Sequence, residues 1–103
     1  MDFHKLDEAF ELVRSVGLTG SLSEFSQTYL GQNQSYWRTL KCTKTEPSLG
    51  AVAICAARMQ SNAEKMLATK QYRHIGLKFM YASEQLREIV NDGCVELDLD
   101  GSE

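Results

Sequence analysis

The chain has 103 residues, 43% of them hydrophobic, with a single proline, four methionines and a formal charge of −3; this is one domain's worth of chain, enough to bury a core without disulfides or metal. Three cysteines, Cys42, Cys55 and Cys94, odd in number and widely spaced, argue against a disulfide framework and for a reducing cytoplasm. No apolar run approaches the roughly 18 residues of a membrane span, and Met1-Asp2-Phe3-His4 does not read as a signal peptide.

Few β-branched residues and the single proline favour helices over strands. The first helix is expected from Asp2 to Val16, because Phe3, Leu6, Phe10, Val13 and Val16 recur at three- and four-residue steps. Asp2, Asp7 and Glu8 sit near its start, where the helix dipole favours them. Gly17 and Gly20 bracket a short connection. Ser21 and Glu24 then have the S-x-x-E spacing of a capping box, in which the Ser hydroxyl takes the Glu amide and the carboxylate returns to the Ser amide. Phe25, Tyr29 and Leu30 supply the apolar face of this second helix. Gly31 suits the turn, since only Gly enters the left-handed region without steric cost. Asn33 is the candidate N-cap of a third helix of about ten residues. Trp37 and Leu40 fall on its inner face, and Gln34, Ser35, Arg38, Thr39 and Lys41 on the other.

A fourth helix begins behind Pro47, with Ser48 as N-cap and Leu49, Val52, Ala56, Met59, Ala63 and Met66 on one seam. It runs either to about Thr69 or only to Ser61-Asn62. Several seam residues are small, which permits close helix contact. The last helix is expected from Arg73 to Val90, with a stripe of Ile75, Phe79, Ala82, Leu86 and Ile89, and Asn91-Asp92-Gly93 closing it. The end, residues 94–103, alternates apolar and acidic residues in a strand-like period, but it is acidic and terminal enough to be read as a flexible tail. The fold class is therefore all-α with about five helices.

Helix, Gly-containing turn of three to four residues, and a second helix with polar and basic residues outward is a helix-turn-helix pattern. Over Leu6 to Met59 the chain resembles the lambda-repressor-like helix-turn-helix domains of the Cro/C1 or XRE type. The resemblance is carried by the turn Gly31, the opening Asn33-Gln34-Ser35-Tyr36, core positions Trp37 and Leu40, and Glu46-Pro47-Ser48-Leu49, which opens the fourth helix. Two features depart from that pattern. Phe25-Ser26 stands one position early for the family's Leu-Ala pair, and the loop after the third helix carries Cys42-Thr43 where the family has Gly. The resemblance implies a core over 1–60, a helical extension over 61–93 and an acidic tail over 94–103.

It also implies sequence-specific binding of double-stranded DNA by a small bacterial or phage regulator, with helix three in the major groove. Asn33 and Gln34 would reach a phosphate and a base edge, Ser35 and Thr39 would face the groove, Arg38 would meet guanine or phosphate, and Lys41 and Lys44 would neutralise phosphates. Tyr36 would either stack on a sugar or reach a phosphate, or else pack on helix two or four. The charge distribution agrees: residues 1–31 carry −3, residues 32–73 carry +5 and residues 74–103 carry −5. Phosphate affinity follows the local potential within about 10 Å, not the whole-chain sum, although a mixed solvated surface would also account for the clustering.

Homodimerisation through residues 61–93 is expected, because the last stripe exceeds what helix four alone would cover; the competing account folds that helix back to complete a monomeric core. The alternative function is a helix-turn-helix fold used as an antitoxin-like or adaptor subunit without DNA binding, with the acidic C-terminal segment as the protein-docking element. An enzyme is not expected, since no phosphate loop, nucleophile elbow or paired-carboxylate motif is present. Neither cofactor nor metal is expected: His4 and His74 are far apart and no cysteine lies at ligand spacing. Cys42 is either a thiol activated by Lys41 and Lys44 or a small semi-apolar residue.

Overall fold

The computed structural model describes residues 4–101, with side chains described for residues 4–93. The protein is all-α: α1 (His4–Ser15), α2 (Leu22–Thr28), α3 (Tyr36–Thr43), α4 (Leu49–Leu67) and α5 (Arg73–Gly101), with a 3₁₀ turn at Lys70–Tyr72 before the last helix.

α1 buries Leu6 and Val13 of the expected stripe together with Ala9, which the stripe did not include, while Phe10 and Val16 are half-buried; Phe3 and Asp2 lie outside the described residues. At the start of α2 the Ser21 hydroxyl accepts from the Glu24 amide at 3.2 Å. The reciprocal bond falls one residue earlier than the motif predicts, with Glu24 Oε2 accepting from the Gly20 amide at 2.5 Å. Inside α2, Phe25 is stacked on Tyr29 with centroids 5.5 Å apart and meets the Phe10 edge at 5.3 Å. These rings join α1 to α2.

α4 is unbroken through Ser61-Asn62, capped by the Ser48 hydroxyl on the Ala51 amide at 3.1 Å. It buries Ala51, Val52, Cys55, Ala56, Met59 and Ala63. α5 runs antiparallel beside it, and this hairpin is the largest packing surface of the fold. Small residues let the two axes approach. A Cβ on Gly76 would lie 3.0 Å from the Leu67 backbone nitrogen, so only glycine fits where the hairpin turns. Midway, buried Ser83 donates to the Ala56 carbonyl at 2.8 Å, and further along Arg87 donates to Gln60.

The last helix does not end at Asn91-Asp92-Gly93. It continues to Gly101, 29 residues in all, about 43 Å at the usual rise, and accounts for the long axis of a 50 × 29 × 19 Å molecule. Gly93 is not a terminator here. The Leu49 methyl carbons lie 2.7 Å from where its Cβ would be, so its bareness seats the start of α4. The backbone from 94 to 101 is thus helical rather than strand-like, and the side chains of the expected acidic tail lie outside the described residues.

The stripe expected to pair two chains is covered within one. Phe79 and Leu86 are 0% and 1% exposed, and Ile75, Met80, Ala82, Ile89 and Val90 pack half-buried around them. α5 lies against both α4 and α1. The physical reason is length: a 19-residue α4 offers five turns of small and medium apolar side chains, enough to cover the stripe.

Candidate nucleic-acid interface

α3 is held against α2 by its inner face and by one cross-helix hydrogen bond. Trp37 is fully buried and Leu40 8% exposed. The Trp37 amide is among the first-turn donors that a helix cannot satisfy internally. Ser35, the residue at the N-cap, makes no side-chain cap; buried Ser26 of α2 does it instead, its Oγ accepting from the Trp37 amide at 3.2 Å. Spacing within α3 could not reveal this, because the cap comes from eleven residues upstream. The Phe25-Ser26 departure from the family's Leu-Ala pair was the available signal: a hydroxyl at a core position calls for a partner.

The connection differs from the expected tight turn. α2 ends at Thr28 and α3 begins at Tyr36, so residues 29–35 join them and the helix is eight residues rather than about ten. Gly31 does adopt a left-handed φ of 64°. A Cβ there would meet Ile54 Cδ1 at 2.9 Å, so both conformation and space select glycine. Asn33 does not cap α3. Its Oδ1 accepts from both the amide and the hydroxyl of Ser35, each at 3.1 Å, an Asx turn that offers the backbone an alternative to helix at this point.

The proposed contact residues separate into two groups. Asn33, Gln34 and Ser35 are exposed on the turn, and Arg38 and Thr39 are exposed on α3. Lys44 is exposed just beyond, as the C-cap of α3 with φ 56°. It supplies the left-handed residue that the loop otherwise lacks for want of glycine, at roughly 1 kcal/mol of steric cost. All six side chains are exposed. The other two are turned elsewhere. Tyr36 is half-buried, and its hydroxyl accepts from the Ser48 amide at 3.0 Å, which ties α3 to the start of α4. Lys41 Nζ lies 2.7 Å from Asp7 Oδ1 and 5.3 Å from the Trp37 ring centre.

Electrostatically, the Lys41–Asp7 pair lowers the charge of the basic block from within the fold. Both side chains are 42% exposed, so the pair is worth under about 1 kcal/mol. Its effect on a phosphate several ångströms away is nonetheless that of a neutralised lysine. Cys42 is exposed at the end of α3, whereas Cys55 is buried in α4 and its thiol is pushed up to about 12 by burial, which keeps it inert. Among the described residues, no cluster of His, Cys, Asp and Glu could hold a metal ion. No helix among them is long and apolar enough to cross a membrane.

Residues 6–98 match a family of unknown function, DUF6626, and the chain belongs to it. No curated protein and no solved structure matches.

Proposed function

We propose that this member of the DUF6626 family binds double-stranded DNA, with the 33–35 turn and the outer face of α3 against the major groove. The observation that supports this reading is the orientation of α3, with Trp37 and Leu40 inward and Arg38 and Thr39 outward, and the exposure of Gln34 and Ser35 on the turn before it. Gln34 is suited to a base edge, and Arg38 to guanine or a phosphate. Lys44 and the Asn33 amide are suited to phosphates. Lys41, paired with Asp7, contributes less than its position in the sequence suggests, and Tyr36 braces the helix.

The test is a mobility shift on mixed-sequence duplex at two salt concentrations. Arg38→Ala with Lys44→Ala should weaken binding to all sequences and lower the salt slope by about two. Lys41→Ala alone should change the slope by well under one. Gln34→Ala should relax preference at one base pair, by about 1–3 kcal/mol. An adaptor subunit without DNA binding would give no salt-dependent shift, and that result removes the reading.

Two-fold pairing, which DNA reading favours because one such unit offers only about 600–1,000 Å², needs a surface other than the covered stripe. α5 leaves Leu77 and Tyr81 exposed, at 59% and 62%, one turn apart. They line a groove of about 470 Å³ together with Glu8 and Leu12 of α1 and Lys78 of α5. A second copy related by a two-fold axis would set each Glu8 against the mate's lysine, which is self-complementary. The expected result is a mass twice 11.6 kDa by light scattering, halved by Tyr81→Asp with helicity intact. A wild-type monomer at micromolar concentration excludes this pairing.

A further inference from the structure

A second groove, of about 480 Å³, lies between the end of α2 and the middle of α4. Its polar wall is made by Thr28, Tyr29, Arg58, Ser61, Asn62 and Lys65, and no carboxylate lines it. Arg58 and Lys65 stand two turns apart on one face of α4, both exposed, and neither forms an ion pair with an acid among the described residues. The groove adjoins the turn into α3, since Ile54, on which Gly31 rests, also lines it.

Tyr29 decides its character. The residue is only 4% exposed, and its hydroxyl oxygen and the Asn62 side-chain amide are 2.5 Å apart, with Asn62 donating. That bond leaves the phenol proton for another acceptor. If the amide were turned over, the phenol would donate to Asn62 and both amide protons would be left instead. In either arrangement the pair uses one of its three polar protons internally and leaves two for other acceptors. Burial raises the phenol's pKa, against an opposing hydrogen bond from Asn62 and, more weakly, the nearby Arg58 charge, so it remains a donor at neutral pH. The wall therefore presents a guanidinium, an ammonium, two hydroxyls and the remaining protons of the Tyr29–Asn62 pair. The end of α2 opposes an anion with roughly half a negative charge. Two full cations outweigh it.

We infer that this groove is an oxyanion site that takes a phosphate group, with Arg58 and Lys65 as its charges and the Tyr29–Asn62 pair as its fixed donor. Arg58 suits the bidentate geometry of phosphate, and Lys65 acts as a point charge. A volume near 480 Å³ is within the range of small-molecule sites, so the phosphate belongs either to a free phosphorylated metabolite or to the DNA backbone beside α3. The second source rests on the DNA-binding reading; the first does not.

The experiment is amide and side-chain NMR of the full chain, titrated separately with inorganic phosphate against a chloride control and with a 20-base-pair duplex. Wild type is compared with Arg58→Gln/Lys65→Gln, both at exposed positions, and with Tyr29→Phe, which keeps the ring packing. Shifts confined to residues 28–29 and 58–65 under phosphate, weakened about tenfold in the double variant and measurably in Tyr29→Phe, support a free-phosphate site. The same shifts with duplex alone, lost in the double variant, support a backbone phosphate. If duplex shifts α3 but leaves the groove unmoved, and phosphate acts no differently from chloride, this inference fails while the DNA-binding reading stands. Groove shifts under phosphate with no duplex binding give the reverse outcome.

Discussion

Phe79→Asp is expected to unfold the chain, not to separate two chains. The ring is 0% exposed in the α4–α5 seam. Removing it forfeits about 3–5 kcal/mol of packing. The carboxylate that replaces it is surrounded by apolar side chains, which adds several kcal/mol unless it takes up a proton. Together these approach or exceed the roughly 5–15 kcal/mol that holds a domain together. Circular dichroism should show loss of most helicity at 25 °C. Glu84→Ala is the control: exposed on the same helix, it should change stability by less than about 0.5 kcal/mol. A Phe79→Asp protein that keeps its helicity and merely halves its mass would place Phe79 in an interface and overturn the packing described above.

Trp37→Ala should cost about 3–5 kcal/mol. For a domain of this size that corresponds to a fall in Tm on the order of 20 °C. The loss has two parts. The ring is fully buried in the hydrophobic core, so its removal leaves a cavity beside a segment whose eight residues are too few to hold a helix unaided. The Ser26 bond to the residue-37 amide survives, since it uses the backbone, and alone it cannot keep α3 docked. Fluorescence offers an independent check, because this is the only tryptophan: the wild-type emission should be blue-shifted and should move to longer wavelength when the chain unfolds. A Tm within a few degrees of wild type would mean that α3 is rotated and Trp37 lies outside the core. The outward set Gln34, Ser35, Arg38 and Thr39 would then lose its basis.

The two substitutions test different levels of the molecule. Trp37 sits where local periodicity put it, one step of three from Leu40, and the three-residue recurrence along α1 likewise identified Leu6 and Val13 correctly as core. Ser21 and Ser48 were legible as caps for the same reason. Each of these features depends on residues within four positions of one another, and a hydroxyl or an apolar stripe at that range has nearly the same options in any fold. The candidate surface was legible only in part: exposure of Asn33, Gln34, Ser35, Arg38, Thr39 and Lys44 followed from the inward pair, whereas the fates of Tyr36 and Lys41 did not.

The sequence by itself therefore determined an all-α chain, the inward faces of α1, α3 and α4, and the basic middle third. Tertiary structure decided the rest. It carried α5 past Asn91-Asp92-Gly93, because Leu49 packs onto the bare Gly93, and a contact between residues 44 positions apart leaves no mark in local composition. It delayed the start of α3 to Tyr36 and capped it from Ser26. It turned Lys41 toward Asp7, 34 residues away, and joined Tyr29, Arg58, Asn62 and Lys65 into one groove. It also closed the α5 stripe inside a single chain. Periodicity says which side chains leave water but not which surface receives them, since the hydrophobic effect rewards burial without direction; only the docked helices supply that partner.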